Sequence, residues 1–363
     1  MPNSKQYLQL YSDHRSLIEQ HSCEAMNAPR KEAFSLLQTK GLPTKRNERY
    51  RYFDVQGAFA PDYGVNLQRV LPSVNPYETY RCNVPNLSTA LYFVVNDTPI
   101  LNEHSTTQAE GVCVKAMSEG GELLKQYYNT AVTDNDTVVA INTMLAQDGV
   151  IIHIPAHTKL KHPIQLVNVC DAAFPMLSSR RILVVAEEGA EAQILICDHV
   201  AGKQAYLTTQ VTEVFAQQGA KVDIYNIEEN ADNVNKFAHF YIQQQADSKV
   251  TMNGVNLHAG KTHNHVNVQL LGPRANNYTG AAVIAGGKEM VDYNVVVEHV
   301  SEQCNSDMLY KYVLDEESIG AVLTFMQMTI CYLGILMKLN PFLQPAVEEL
   351  KVNIHSLIKS KLN

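Results

Sequence analysis

From residue 180 onward, apolar and polar residues alternate in short runs, and each run closes on a polar turn. Five segments share one plan of strand, turn and strand: "RILVVAEEGAEAQILICDH", "TEVFAQQGAKVDIYNIEE", "HFYIQQQADSKVTMNGVNLH", "HVNVQLLGPRANNYTGAAVIAG" and "MLYKYVLDEESIGAV". Alternation with a period of two puts every second side chain on one face of a strand, so each run has one face to bury. Aligning the turns gives a step of 30 from Gly189 to Gly219, then steps of 28 from Lys221 to Lys249 and from Lys249 to Asn277. A last step of 41 reaches Ser318, with an additional strand pair, "AVIAGG" and "DYNVVVEHV", inside it. A rung of this size cannot bury its apolar face alone, whereas stacked rungs share a continuous core. The pattern therefore predicts a parallel β-helix, or solenoid. A β-sandwich is the alternative, and the four-stranded blade of a propeller fits less well.

The preceding residues follow other periods. Residues 1–60 read as helical: Leu10, Leu17 and Ile18 recur at helical intervals, and a second helix begins after Asn27, takes Pro29 into its first turn and stops at Gly41. "NERYRYFDV" alternates aromatic and polar residues and reads as the entry into β structure. Residues 61–150 form a mixed α/β lead-in, with a strand at "ALYFVVNDTPI", a short helix in "SEGGELLKQYYNTA" and a helix or turn from "TVVAINTMLAQ" into strands. The β-helix core is assigned to 151–322 and an atypical tail to 323–363. From Ile319 to Met337 no residue is charged, a length that spans a bilayer only if helical. "AVLTFMQMTI" alternates, however, so the expectation is a strand followed by an amphipathic helix carrying Val347, Leu350, Ile354, Leu357 and Ile358, with no membrane span.

Composition narrows the function. Hydrophobic residues make up 45% and charged residues 18%, a balance that suits β faces lined with Thr, Asn and Gln. A net charge of −8 argues against nucleic acid as a partner, and the basic run Lys45–Arg51 reads as a structured turn. The seven cysteines are scattered without a CxxC pair, and the polar N-terminus lacks the apolar stretch of a signal peptide. A cytoplasmic location with reduced thiols is the expectation.

Candidate chemistry is sparse. His258, His263 and His265 lie close together, the last two on one strand face, as half a metal site would require, but no acid lies at matching spacing. A solvated or hydrogen-bonded face is the expected outcome. His299 and Cys304, five apart across a turn, are weak candidates for metal ligation, set against a buried thiol and a paired histidine. GxSxG, HExxH and GxxxxGK[ST] are all absent, so no catalytic residue is assigned and no enzyme activity is expected. The rival reading, a β-helix enzyme acting on carbohydrate, is opposed by the lack of Trp, whose ring commonly holds sugars, and of an export signal.

Two stretches carry a resemblance. "GLPTKRNERYRYFDV" at 41–55 resembles the turn that precedes the β domain in the SufD family of iron–sulfur cluster assembly proteins. "VVEHVSEQCNSDMLYKYVLDEESIGAV" at 296–322 resembles a second family segment through His299, Cys304, Ser306, Tyr310, Lys311, Leu314 and Asp315. The resemblance covers about residues 5–322 and implies a right-handed parallel β-helix that pairs with a SufB-like protein and is served by the ATPase SufC. Alone, such a subunit can form a homodimer. It implies no tightly bound cofactor, only a transient iron–sulfur cluster at the partner interface. After Val322 the family's "YADDVKCSHG" type segment has no counterpart, so its proposed cluster histidine has no equivalent here, and an altered or replaced end is expected over 319–363. A third reading is a plain solenoid that has lost its cluster role.

Overall fold

The computed structural model describes residues 2–72, 75–80, 90–101, 112–258 and 260–313. The expectations placed on 314–363 lie outside them. Among the described residues fifteen strands run in chain order: β1 (Ala90–Val95), β2 (Thr98–Ile100), β3 (Cys113–Ala116), β4 (Val150–Ile154), β5 (Ile164–Cys170), β6 (Met176–Ala186), β7 (Glu191–Val200), β8 (Tyr206–Ala216), β9 (Lys221–Glu229), β10 (Val234–Gln244), β11 (Lys249–His258), β12 (Lys261–Leu270), β13 (Asn276–Ile284), β14 (Met290–His299) and β15 (Asn305–Val313). From β4 onward successive strands alternate between two sheets, one ordered β14-β12-β10-β8-β6-β4-β3 and the other β15-β13-β11-β9-β7-β5-β1-β2. Apart from the two end pairs, β1–β2 and β3–β4, every ladder is parallel. The result is a parallel β-solenoid of about 6 turns, as the period of the turns predicts, rather than a sandwich of antiparallel hairpins.

One corner of each turn carries a residue in the left-handed region: His157, Gly189, Gly219, Asp247, Arg274 and Gln303. The first five donate their amides to a carbonyl of the next turn, as Gly189 N does to Gln218 O and Arg274 N to Glu302 O. Glycine adopts this backbone freely, which explains the legible glycines at the first two β corners after β6. It also corrects the repeat count. The equivalent of Asn276 is Asn305, a step of 29, so the step of 41 to Ser318 is no structural repeat. "DYNVVVEHV" is the first strand of that turn and "MLYKYV" the second. On the same edge Gly272 is obligatory for another reason. A Cβ there would lie 2.0 Å from Ala246 N, a backbone atom. We expect Gly272→Ala to cost more than about 2 kcal/mol in urea unfolding.

The interior between the sheets is apolar for half its width, built from Ile182, Val184, Val214, Phe240, Val266 and their neighbours. The outer face of the seven-stranded sheet is buried as well, beneath helices Pro2–Gln20, Arg30–Lys40, Gly121–Tyr127 and Thr137–Leu145. Strand β6 is therefore buried at all eleven positions. Helix Thr137–Leu145 starts at Asp136, whose carboxylate accepts the amides of Val138 and Val139, and ends on Arg30. That guanidinium donates to the carbonyls of Thr143, Met144 and Ala146, which leaves the negative helix end facing a buried cation. "NERYRYFDV" is not a strand. Glu48–Tyr50 is a short 3-10 helix and Val55–Ala58 one helical turn, and Tyr50 and Phe53, three residues apart, are buried in one cluster against the sheet rather than alternating across one.

Candidate functional site

Two polar clusters and one exposed end stand out. The first lies where the helical layer meets the outer face of the seven-stranded sheet. His239 on β10 and His265 on β12 are cross-strand partners, and His263 shares their face; all three are buried. The Tyr50 hydroxyl donates to Asp136 at 2.7 Å and meets His239 Nε2 at 3.0 Å, so His239 Nε2–H is the donor in that pair. His265 Nε2 stands 3.2 Å from Asp134, and His263 Nδ1 is 2.7 Å from Asp292 on β14. Arg49 reaches both Asp134 and Asp136 with Nη1, at 2.6 and 2.7 Å. The acids absent from the spacing around His263 and His265 are thus delivered by tertiary structure, Asp134 and Asp136 from a distant loop and Asp292 from the neighbouring strand β14, and the face is hydrogen-bonded but not solvated. Of His258 only the backbone, at the end of β11, is described. The run Lys45–Arg51 is a turn whose Arg49 is consumed by this cluster.

Electrostatics follow from burial and pairing. Burial pushes His239 down to about 3, helped by His265 and His263 and opposed by Asp136. Burial alone would raise Asp136, but His239 and Arg49 hold it below the usual carboxylate range. With the guanidinium already bridging both carboxylates, the cationic position is filled. Among the described residues, no three His, Cys, Asp or Glu side chains are placed to hold a metal ion.

The second cluster lies inside the solenoid, beyond the apolar half. Lys236 on β10 sits 2.6 Å from both Asp198 on β7 and Glu228 on β9. Arg180 on β6 takes the other oxygen of Asp198 at 2.7 Å, and donates to the carbonyl of Asn96 and to Cys170 Sγ. Glu228 accepts from Asn256, whose Oδ1 accepts from Tyr293 at 2.8 Å. All four charged residues are buried. Burial works against both Lys236 and Asp198, yet mutual attraction wins: Lys236 is held above the usual lysine range and Asp198 below the usual carboxylate range.

His299 and Cys304 are not joined to each other. His299 Nε2 meets Ser306 Oγ at 2.8 Å, whereas the Cys304 thiol donates to Gly272 O at 3.3 Å and packs against the interior core. They belong to the last described turn, where β14 pairs with β12 and β15 with β13 only, among the described residues. That turn exposes Val296 (37%), Val300 (61%), Met308 (54%), Leu309 (48%) and Tyr312 (42%), an apolar density found nowhere else on the described strands.

A two-sheet parallel solenoid clad on one side by an N-terminal helical layer, with buried ion pairs on both faces of its seven-stranded sheet, defines a class of mainly β solenoid proteins. Residues 1–166 match the family model described as the SufBD protein N-terminal region, and 169–325 the SUF system FeS cluster assembly, SufBD core domain. The chain belongs to the SufBD family of iron–sulfur cluster assembly proteins. It is 24% identical over 301 residues to an iron-sulfur cluster assembly SufBD family protein of Synechocystis sp., a match covering 79% of this chain and 66% of that one. It is 29% identical over 147 residues to Protein ABCI7, chloroplastic, of Arabidopsis thaliana, covering 38% and 30%. The chain thus spans about two thirds of the first relative and under a third of the second. No helix among the described residues is long and apolar enough to cross a membrane.

Proposed function

We propose that the chain is a SufD-like scaffold subunit. In this reading it pairs through its solenoid with a SufB-like protein, is served by a SufC-like ATPase and holds an iron–sulfur cluster transiently at the shared interface. It catalyses nothing alone, and it works in the cytoplasm. The observation that carries the reading is the apolar end turn: two strands with free pairing groups, among the described residues, and five exposed apolar side chains offer another β-solenoid both backbone hydrogen bonds and area to bury. The ATPase is assigned to a partner because the chain carries no GxxxxGK[ST] sequence. Co-expression with a SufB-like chain should yield a heteromer that survives size-exclusion chromatography at micromolar concentration. Leu309→Asp, placing a charge among the exposed apolar side chains of β15, should raise the dissociation constant at least about tenfold. Separate species for the unmodified pair, or no effect of the substitution, would remove the end turn from the interface.

A further inference from the structure

Inside the solenoid, one stretch is lined by side-chain amides that keep buried polar atoms without a partner among the described residues. Reading across the interior, Gln210 on β8 faces Asn226 on β9, Ala238 on β10 faces Gly254 on β11, and Asn264 on β12 faces Ala281 on β13. Each lies in line with inward-pointing members of the apolar core or its continuation. Gln210, Ala238 and Asn264 are consecutive in one ladder, as are Asn226, Gly254 and Ala281 in the other. Facing sheets stand roughly 10 Å apart. Ala238 and Gly254 carry almost no side chain into that distance, and the Tyr293 hydroxyl enters it at Gly254, 2.2 Å from where a Cβ would stand.

Asn264 is fully buried, and among the described residues neither its Oδ1 nor its Nδ2 has a hydrogen-bond partner. Asn226 is oriented by donating Nδ2 to Glu228, which leaves its Oδ1 unpartnered, and Gln210 Oε1 is unpartnered too. Buried amides carry a large desolvation penalty unless bonded, and polar interiors with room for solvent meet it with ordered water making two to four bonds.

We propose that the Ala238–Gly254 rung is an internal binding site for small hydrogen-bonding molecules, occupied by ordered water held between Gln210 Oε1, Asn226 Oδ1 and the Asn264 amide. The site lies one residue pair from Lys236 and Glu228, so the bound water continues the polar column from the ion pairs to the rung of Asn264. Its amide donors and acceptors suit neutral solvent-like molecules. An apolar guest would leave every one of those atoms unpaired.

The test uses the unaltered chain. A crystal structure at a resolution that shows ordered solvent should place water within hydrogen-bond distance of Asn264 and of Gln210 or Asn226. Crystals of the same protein under xenon should show no xenon there, because xenon favours dry apolar cavities. In solution, the Asn264 side-chain amide protons should show cross-relaxation to long-lived water. The proposal is overturned by xenon at this rung, by an unoccupied rung, or by Asn264 turned onto a protein partner.

Discussion

Replacing Lys236 with Met should cost about 3–5 kcal/mol, the largest effect of any single interior substitution on the polar side of the solenoid. The methionine matches the lysine stem in volume, so the loss is electrostatic. Asp198 and Glu228, each 2.6 Å from the ammonium, would face each other in the interior with no cation between them. Removing one partner of a buried pair is far more damaging than removing the pair, because the remaining charge keeps its desolvation penalty. The double substitution Lys236→Met with Glu228→Gln should therefore be more stable than the single one, since Arg180 still neutralises Asp198. Thermal unfolding followed by circular dichroism should register the single change as a drop on the order of 10 °C. A single variant within about 0.5 kcal/mol of the parent would mean that the ion pairs are not buried, unrelaxed groups.

Acidification should loosen the helical layer from the sheet. His239 is neutral in the fold, its pKa lowered from 6.5 to about 3, so below 6.5 the unfolded chain binds a proton that the folded chain refuses. Stability from this group is complete above 6.5 and is lost as the pH falls toward 3, amounting to about 3 kcal/mol by pH 4. Asp136, held down by His239 and Arg49, acts in the same direction at still lower pH. Glu213 and Asp97, both raised by burial, take up protons in the fold and offset part of the loss. The comparison that isolates His239 is His239→Gln, which keeps a donor for Tyr50 and removes the titration. Between pH 7 and 4 the parent should lose about 3 kcal/mol more than the variant. Hydrogen exchange should show the extra loss in the amides near Tyr50 and Asp136 before those of β8. Parallel pH profiles for the two proteins would refute the assignment.

The solenoid was legible because its strands alternate and its corners recur, and Gly189 and Gly219 mark the corner openly. The phase of the last turn was not, because Gln303 occupies the left-handed corner without a glycine to announce it. "MLYKYV" alternates equally well as either strand of a rung. The histidine cluster was half visible: His263 and His265 share a strand face, but Arg49, Tyr50, Asp134 and Asp136 reach it through tertiary packing that no local period records. The interior column left a usable signal. Asn168, Asp198, Glu228 and Asn256 are spaced 30, 30 and 28 apart, the length of a turn, and they are consecutive partners across the ladders. Reading the repeat down its columns rather than along its strands exposes a polar interior.

The in-register stacking also sets how such a chain can change length. Inserting one residue within β10 would swing Lys236 from Asp198 and Glu228 to the outer face and send Phe237 into the polar column. Inserting a whole turn, 26 to 30 residues between equivalent positions, would leave every column aligned and add one more pair of strands. Growth and loss in this architecture are therefore quantised. A single-residue insertion in a strand breaks the columns, whereas gain or loss of a complete turn between corners keeps them aligned, so the reach of the solenoid changes in units of one rung.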